Sequence, residues 1–505
     1  MSVFRKTFKS IQLFYFSQTC VWVIIFFGAL LRILRFIQNN SLWTDEASIA
    51  ISIINLPLDR IAHSLDYLQV APLGFLWIEK IFITFFGISE YAFRLFPLIC
   101  GILSIIAFYK LAKQIISKLF LPLSVFIFSV SFPLIDFSTE IKPYIVDVLI
   151  VILILNTALF MKNRRYTIRY GILFGILGSF LIYFSFPASF FLAGTGTSFF
   201  IYYIVNKQWG QLKAVSLSII LWIINIILYY FSFLKYFISS SYLSFFWHDG
   251  FLSSPFSMEG LGQWEVTFIR IFDYPGMYNL LSIPIGIIFI FGLIKLFKQS
   301  KFSFYILVSP VVFLTIASIL HYYPIYGRLV LFLLPLIILG VIKGLASIYS
   351  KSHIRKSIVI FTLLIILLSQ SVYGISSAIF PVEKCEIDVV FEYVENNRKQ
   401  DDIIYIPFDV ASLYEYYQLR MQIPESNYYV SNFAGRNREQ YLKELEQLSE
   451  NNERIWIITT HKTSWENPGF FEYRAFFLNY LSQAGELIDS LIAHEASAHL
   501  FYTDK

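Results

Sequence analysis

The sequence predicts a polytopic α-helical membrane protein with about eleven transmembrane helices and a C-terminal α/β domain. Of its 505 residues, 57% are hydrophobic and 14% are charged, whereas soluble domains carry about 25% charged residues. Residues 1–381 hold 28 basic and 13 acidic side chains, and residues 382–505 hold 11 basic and 21 acidic ones. A basic membrane part therefore precedes an acidic tail. The basic excess follows the positive-inside pattern and requires no nucleic-acid partner.

The predicted spans are apolar segments that approach the ~20 residues a helix needs to cross the hydrocarbon. We place them at 18–37, 93–112, 118–136, 144–161, 169–187, 189–205, 213–234, 277–298, 302–320, 327–347 and 357–378. The basic N-terminus, with Arg5, Lys6 and Lys9, is expected in the cytoplasm. The loops expected on that side contain Lys or Arg and no acidic residue, so the acidic residues of the membrane part fall on the opposite side.

The first external loop covers about residues 38–92 and contains one ambiguous apolar segment at 72–87. This segment is short and is interrupted by Glu79 and Lys80. If it crossed the bilayer, every later loop would invert and the basic loops would face outward. We therefore predict interfacial helices in this loop, lying on the outer leaflet. A twelfth span with reversed charges downstream is the alternative.

The tail alternates helical and strand patterns. Helices are predicted at 386–398, 411–420 and 436–449, and strands at 402–407 and 454–459. Alternation of this kind favours a small α/β layer structure. The tail has no glycine-rich phosphate-binding motif, so nothing in it indicates a nucleotide. With an odd number of spans before it, the tail is expected to be extracytoplasmic.

A pair of carboxylates, Asp45 and Glu46, opens the first external loop just after Trp43. A carboxylate held at the membrane surface can accept a proton from an incoming hydroxyl, which makes both residues candidates for catalysis. A solvated loop start or a helix N-cap is the ordinary alternative. Gln69 follows in the same loop and is a candidate for substrate binding.

Two further clusters are predicted at the same membrane face. Glu140, Lys142 and Tyr144 lie between the third and fourth spans, where charges beside the membrane core are often functional. Tyr326 and Arg328 open the tenth span, and a guanidinium at that depth matches the geometry of a phosphate. The alternatives are a capped turn with Lys142 snorkelling to the surface, and an interfacial Tyr/Arg belt.

Three more residues complete the candidate set. Arg94 begins the second span and is a second candidate for phosphate binding, or part of the interface. Trp247 and His248 lie in an external loop, where they either line a sugar pocket or form polar surface. Carboxylates, cations and aromatics at one lipid–water boundary suit a substrate with a lipid tail and a phosphate-sugar head. No cluster has metal-binding spacing, so we expect neither a metal nor a cofactor.

Several motifs in this order resemble bacterial membrane glycosyltransferases of the GT-C fold. They are LWTDEA, QVAPLGFLWIEK before GISEYAFRLFP, STEIKPY and YPIYGRLVLFLLP, with Tyr183–Ala188 as a weaker match. The closest resemblance is to dolichyl-phosphate-mannose–protein mannosyltransferases and lipid A aminoarabinose transferases. It implies metal-independent, inverting transfer of a sugar from a polyprenyl-phosphate carrier to a glycan, lipid or protein hydroxyl, outside the bacterial inner membrane.

The resemblance also implies roles for residues. The first-loop aspartate of the family, taken as the base, corresponds to Asp45. The family's Glu-x-Arg-Pro-Tyr pattern corresponds to the run from Glu140 to Tyr144, except that Lys142 stands where Arg is usual. Lysine offers a point charge rather than a bidentate fork. Two other functions stay open: a transporter or flippase, which would favour charges near the bilayer midplane, and a polymerase or ligase of lipid-linked glycans.

Overall fold

The computed structural model describes residues 18–62, 65–162, 164, 166–238, 246–349, 353–380, 384–424, 427–431, 438–460 and 473–503. Helices dominate the membrane part. They are α1 Gln18–Gln38, α2 Thr44–Asn55, α3 Leu73–Phe86, α4 Glu90–Ile115, α5 Leu121–Val130, α6 Phe132–Asp136, α7 Tyr144–Lys162, α8 Ile168–Ile182, α9 Pro187–Val205, α10 Trp209–Tyr229, α11 Lys235–Ile238, α12 Met258–Asp273, α13 Ser282–Gln299, α14 Lys301–Ile319, α15 Leu334–Tyr349 and α16 His353–Ile379.

The predicted polytopic helical class is confirmed. Within the described residues, 8 helical segments are long and apolar enough to cross a membrane, or up to 9 if the bent pair α5 and α6 forms one span. The two remaining predicted spans coincide with α8, which is shorter at 15 residues, and with α16. Every predicted span therefore coincides with a helix or helix pair, while the number that cross the membrane stays a prediction.

The third predicted span is not one straight helix. Its two parts, α5 and α6, meet at Ser131 and are bent by 60°. Pro133 at the start of α6 has no amide hydrogen to donate, which favours a break between α5 and α6. A short 3-10 turn, Phe137–Thr139, follows α6. The bend buries Asp136 and Glu140, where a straight span would end at the membrane surface.

The first loop contains helices α2 and α3 and two 3-10 turns, Arg60–Ala62 and Asp66–Leu68. Helix α3 covers the segment predicted to be an interfacial helix, whereas α2 was not predicted, and the position of these helices relative to the membrane stays a prediction. Both carboxylates of the pair Asp45–Glu46 lie in the first turn of α2, where the helix dipole favours negative charge. Helix α3 has 14 residues and is about 21 Å long, short of the ~30 Å of hydrocarbon. Its Lys80 donates to the carbonyls of Ile53 at 2.7 Å and Ile54 at 2.9 Å, which caps the end of α2.

The tail folds into a five-stranded sheet with helices. Its elements are α17 Ile387–Asn397, β1 Ile403–Ile406, α18 Phe408–Met421, β2 Tyr428–Val430, α19 Arg438–Asn451, β3 Arg454–Thr460, α20 Tyr473–Ala484, β4 Gly485–Ala493 and β5 Ala496–Thr503. The strand order is β2-β1-β3-β5-β4, with β1 parallel to β2 and β3, and β5 antiparallel to β3 and β4. Both predicted strands are present, and the β4–β5 hairpin is an element that the sequence patterns did not predict.

Helix α18 joins the tail to the first loop. Ser48 of α2 donates to the Ser412 hydroxyl at 3.0 Å, and the Tyr417 hydroxyl accepts from the Leu42 amide at 2.9 Å. The Tyr67 hydroxyl donates to Glu415 at 2.5 Å. These hydrogen bonds place the sheet domain on the same side of the helical bundle as the Asp45–Glu46 pair.

A buried carboxylate, Asp402, anchors the sheet. Its oxygens accept from Arg454 at 2.6 and 3.1 Å, from Trp456 at 2.9 Å and from the Lys399 amide at 3.0 Å. Burial acts to raise the pKa of Asp402, but these hydrogen bonds and the Arg454 charge outweigh burial and hold the pKa below its usual value.

We predict that Asp402→Ala lowers the free energy of unfolding by about 3 kcal/mol, because it leaves Arg454 without its partner. Since the folded pKa is depressed, this stabilisation is present above the unfolded pKa of about 4 and is lost as the pH falls through the folded value. Thermal unfolding in detergent from pH 7 to pH 3 measures both effects. The neighbouring exposed Asp401→Ala is the matched control, and equal melting of the Asp402→Ala and wild-type proteins across that range would contradict the prediction.

Candidate active site

The two acidic residues that open α2 face different partners. Successive helix residues are about 100° apart, so Asp45 and Glu46 cannot share one environment. Asp45 forms an ion pair with Arg328. Glu46 is fully buried and accepts from Arg94 at 3.0 Å. The structure therefore separates the predicted carboxylate pair into two ion pairs.

Arg328 lies in a cage of aromatic rings. It follows Gly327, whose φ of +48° is a left-handed conformation that glycine adopts without strain. The guanidinium carbon lies 4.8 Å from the ring centre of Trp43, 5.9 Å from that of Trp247 and 6.0 Å from that of Tyr144. Cation–π attraction and the Asp45 carboxylate together hold this cation in place. Sequence reasoning placed Arg328, Tyr144 and Trp247 in one site, and the structure brings them together.

The Glu46–Arg94 pair ties three segments of the chain to each other. Glu46 also accepts from the backbone amide of Ile141 at 2.8 Å, and Arg94 donates to the carbonyl of Asn40 at 2.6 Å. The first loop, helix α4 and the segment after α6 are thereby fixed around one buried carboxylate. Glu46 was predicted to be catalytic and Arg94 to bind phosphate. In this structure the two side chains pair with each other.

Lys142 and Gln69, two other predicted residues, lie in contact. The Lys142 ammonium donates to the Gln69 side chain at 2.9 Å. Lys142 is buried and follows Ile141, which Glu46 holds. Two residues further on, the Tyr144 ring faces Arg328. Lys142 therefore belongs to the same region as the Asp45–Arg328 pair.

Glu140 belongs to a third charged group, which contains two acids and two bases. Both it and Asp136 pair with Lys384, and Asp136 also pairs with Arg35 at 3.1 Å. Sequence reasoning missed Asp136, Arg35 and Lys384. An arginine inside the first predicted span was an available signal for Arg35, since charges in spans are rare and functional. Lys384 lies in a charge-rich tail, where no local pattern distinguishes it.

The Glu46–Arg94 pair and the group of Arg35, Asp136, Glu140 and Lys384 line a small, partly open cleft, whereas Asp45, Lys142 and Arg328 are not among its lining residues. Three acids and three bases contribute to its wall, so the lining is balanced in charge. The cleft is lined by Arg35, Phe36, Asn40, Ser41, Glu46, Arg94, Asp136, Thr139, Glu140 and Lys384. Among the residues that the structure describes, no three His, Cys, Asp or Glu side chains form a group that could hold a metal.

The loop before α12 contributes some of its predicted residues to the site and not others. The Trp247 ring lies 6.1 Å from that of Tyr326, beside the Arg328 cage. Arg270 of α12 covers the Tyr326 ring at 5.5 Å. The side chain of His248, by contrast, is 80% exposed and lies 3.4 Å from the carboxylate of its neighbour Asp249. The structure thus brings Trp247 and Tyr326 to the site and leaves His248 in solvent.

Comparisons with known proteins agree with this architecture. A sequence model of the family described as dolichyl-phosphate-mannose-protein mannosyltransferase matches residues 70–232. This stretch includes Arg94 and the run from Glu140 to Tyr144. No curated protein matches the sequence significantly.

Three solved structures share the fold. ArnT from Cupriavidus metallidurans in the apo state is 10% identical, with a TM-score of 0.55, over 96% of this chain and 98% of that chain. The same protein bound to undecaprenyl phosphate has 10% identity and a TM-score of 0.53 over 95% and 98%. The oligosaccharyltransferase AglB from Archaeoglobus fulgidus, in complex with an inhibitory peptide and a dolichol-phosphate, has 12% identity and a TM-score of 0.50 over 95% and 74%. The shared fold and the family match together confirm the predicted class, a membrane glycosyltransferase of the GT-C fold.

We predict that Glu46→Gln destabilises the protein by about 3 kcal/mol or more, because it leaves the buried Arg94 guanidinium without its counter-charge. The double variant Glu46→Gln/Arg94→Met should recover part of that loss, since both charges are then absent. Thermal unfolding of the single and double variants measures the coupling. Glu265→Gln, at an exposed position in α12, is the control, and a Glu46→Gln protein as stable as that control would disprove the structural role.

Proposed function

We propose that this protein transfers a sugar from a polyprenyl-phosphate carrier to an acceptor hydroxyl, with inversion at the anomeric carbon. The observation that carries the proposal is the Asp45–Arg328 ion pair inside its aromatic cage. It places a carboxylate beside a cation that can bind phosphate. The structural neighbours ArnT and AglB, solved with undecaprenyl phosphate and dolichol-phosphate, support a lipid phosphate as the donor's carrier.

Phosphate binding would change the pairing of Arg328. In this structure its guanidinium pairs with Asp45. A donor phosphate carries the charge and oxygen geometry that a guanidinium prefers, so it competes with the carboxylate for the same donors. Once Arg328 turns to the phosphate, Asp45 becomes available as a base. Lys142 contributes a second positive charge from the neighbouring segment.

The chemical step is a single displacement. Asp45 accepts the proton of the acceptor hydroxyl as its oxygen attacks the anomeric carbon. The bond between that carbon and the phosphate oxygen breaks, and polyprenyl phosphate leaves with the bonding electron pair. Arg328 and Lys142 stabilise the charge that develops on the leaving oxygen. We propose that these side chains supply the positive charge, so the transfer needs neither a metal nor a cofactor.

The remaining candidates divide into positioning and substrate-binding groups. The mutual pairing of Glu46 and Arg94 favours a positioning role for both. Glu140 lines the cleft, and its second oxygen, Oε2, has no hydrogen-bond partner among the described residues. That oxygen is available to accept from a sugar or acceptor hydroxyl. Tyr144 and Trp247 present rings against which a sugar can pack.

The site is proposed to face the outside of a bacterial inner membrane. Helix α18 packs against α2, so the C-terminal domain and Asp45 share one side. The basic loops predicted at the opposite ends of the spans favour the cytoplasm for that other side. The donor would then enter laterally from the outer leaflet, with its isoprenoid tail between helices.

We predict that Asp45→Asn lowers the rate of sugar transfer by about 10²–10⁴-fold, because asparagine cannot accept the proton. Donor binding should be retained or tightened, because asparagine carries no charge to compete with the phosphate for Arg328. A purified polyprenyl-phosphate sugar and a radiolabel assay measure the rate. Asp59→Asn, an exposed aspartate of the same loop, should transfer normally. Wild-type turnover by a folded Asp45→Asn protein would rule out the base.

Arg328→Lys is expected to weaken binding of the donor by about tenfold or more, because an ammonium cannot offer two parallel donors to a phosphate. Initial rates against donor concentration give the KM. The exposed Arg60→Lys in the same loop serves as the conservative control. An unchanged donor KM in Arg328→Lys would exclude phosphate binding by this side chain.

A further inference from the structure

Lys384 lies at the junction between the last helix of the membrane part and the C-terminal domain. Helix α16 ends at Ile379 and α17 begins at Ile387. From this junction the Lys384 side chain reaches into the candidate active site. Its ammonium lies 2.8 Å from Asp136 and contacts Glu140. It is therefore a residue of the C-terminal region inserted into the wall of the membrane-part cleft.

The carboxylates that Lys384 meets are buried, with side chains 6% exposed in Asp136 and 3% in Glu140, whereas Lys384 is 31% exposed. Buried carboxylates need a counter-charge, and removal of one partner from such a pair is strongly destabilising. Arg35 at 3.1 Å balances one of the two negative charges, and Lys384 balances the other. Without Lys384, an uncompensated negative charge would face the cleft, where it would repel an anionic donor.

A polar chain connects this junction to helix α1. Arg35 donates to the Gln38 side chain at 2.6 Å, and Gln38 donates to the carbonyls of Ser377 at 3.3 Å and Ala378 at 3.0 Å. The end of α16 is thus bound to α1 just before the chain reaches Lys384.

Lys384 also lies close to the proposed phosphate-binding cation. Its ammonium is 5.7 Å from the Trp43 ring centre, and the Arg328 guanidinium is 4.8 Å from the same ring. The Lys384 ammonium also lies 5.4 Å from the ring centre of Phe137. A cation of the C-terminal region and the cation that pairs with Asp45 therefore lie near the same tryptophan ring.

The segment that bears Lys142 is held from two sides. Glu46 holds the amide of Ile141 at 2.8 Å, and Lys384 holds the carboxylate of Glu140. Lys142 directly follows Ile141 in the chain. Its position, and therefore its reach toward a phosphate, depends on both of these contacts.

We propose that Lys384 is a positioning residue that the C-terminal region supplies to the active site. It neutralises the Asp136–Glu140 pair and fixes the Lys142 segment, so that the lipid-phosphate site is complete only when the C-terminal domain is docked. The proposal deepens the proposed function and rests on a lipid phosphate binding at Arg328 and Lys142.

The test compares full-length wild type, Lys384→Ala, Lys384→Arg and the control Lys399→Ala, an exposed lysine of the same domain. Undecaprenyl phosphate binding is measured by native mass spectrometry, and donor KM and kcat by transfer assay. We expect Lys384→Ala to bind undecaprenyl phosphate about tenfold or more weakly, because a charge-assisted contact is lost. Lys384→Arg and added ethylammonium, which restores a cation between the carboxylates, should recover binding. The donor KM should change more than kcat.

Wild-type binding by Lys384→Ala, or weak binding that neither arginine nor ethylammonium restores in a folded protein, would overturn the proposal. If Lys384→Ala does not fold, Lys384→Ala/Glu140→Gln restores the charge balance. Weak binding by the folded double variant supports the positioning role, and wild-type binding contradicts it. Lipid binding is measured without sugar transfer. If the wild type transferred no sugar, that result would count against the proposed function, but the effect of Lys384→Ala on lipid binding could still be interpreted.

Discussion

Four buried or nearly buried carboxylates must be neutralised for this site to exist at the edge of a membrane. Each pairs with a cation from a distant part of the chain: Asp45 with Arg328, Glu46 with Arg94, Asp136 with Arg35 and Glu140 with Lys384. A charge left alone there would cost several kcal/mol. The bundle, the first loop and the C-terminal domain are consequently held together by the same contacts that shape the cleft.

Charge balance also limits what the site can bind. The lining of the cleft contains equal numbers of acids and bases, and the Asp45–Arg328 pair is neutral as a unit. An incoming anion must therefore take a cation from an existing partner. Arg328 is suited to that exchange. The rings of Trp43, Trp247 and Tyr144 contact its guanidinium whether it binds a carboxylate oxygen or a phosphate oxygen. Arg94 is less suited, since Glu46 and the Asn40 carbonyl both hold it.

Sequence patterns predicted the helices of the membrane spans, three of the helices of the tail and two of its five strands because hydropathy and periodicity are local. They grouped Asp45, Lys142, Arg328 and Trp247 because those residues share one membrane face. Sequence patterns could not predict which acid pairs with which base. Asp45 and Arg328 are separated by 283 residues, and no pattern in a single sequence indicates such a contact. Hydropathy did not predict the bend at Ser131, because α5 and α6 together form one continuous apolar segment. The active-site position of Lys384 was not predicted, because it depends on how α16 and the C-terminal domain meet in the folded protein.

The most direct test of this account is a structure of the wild-type protein with polyprenyl phosphate bound. If Arg328 binds the donor phosphate as proposed, the phosphate contacts the Arg328 guanidinium and the Asp45–Arg328 ion pair is broken. A lipid phosphate bound away from Arg328, with the Asp45–Arg328 pair intact, would contradict it.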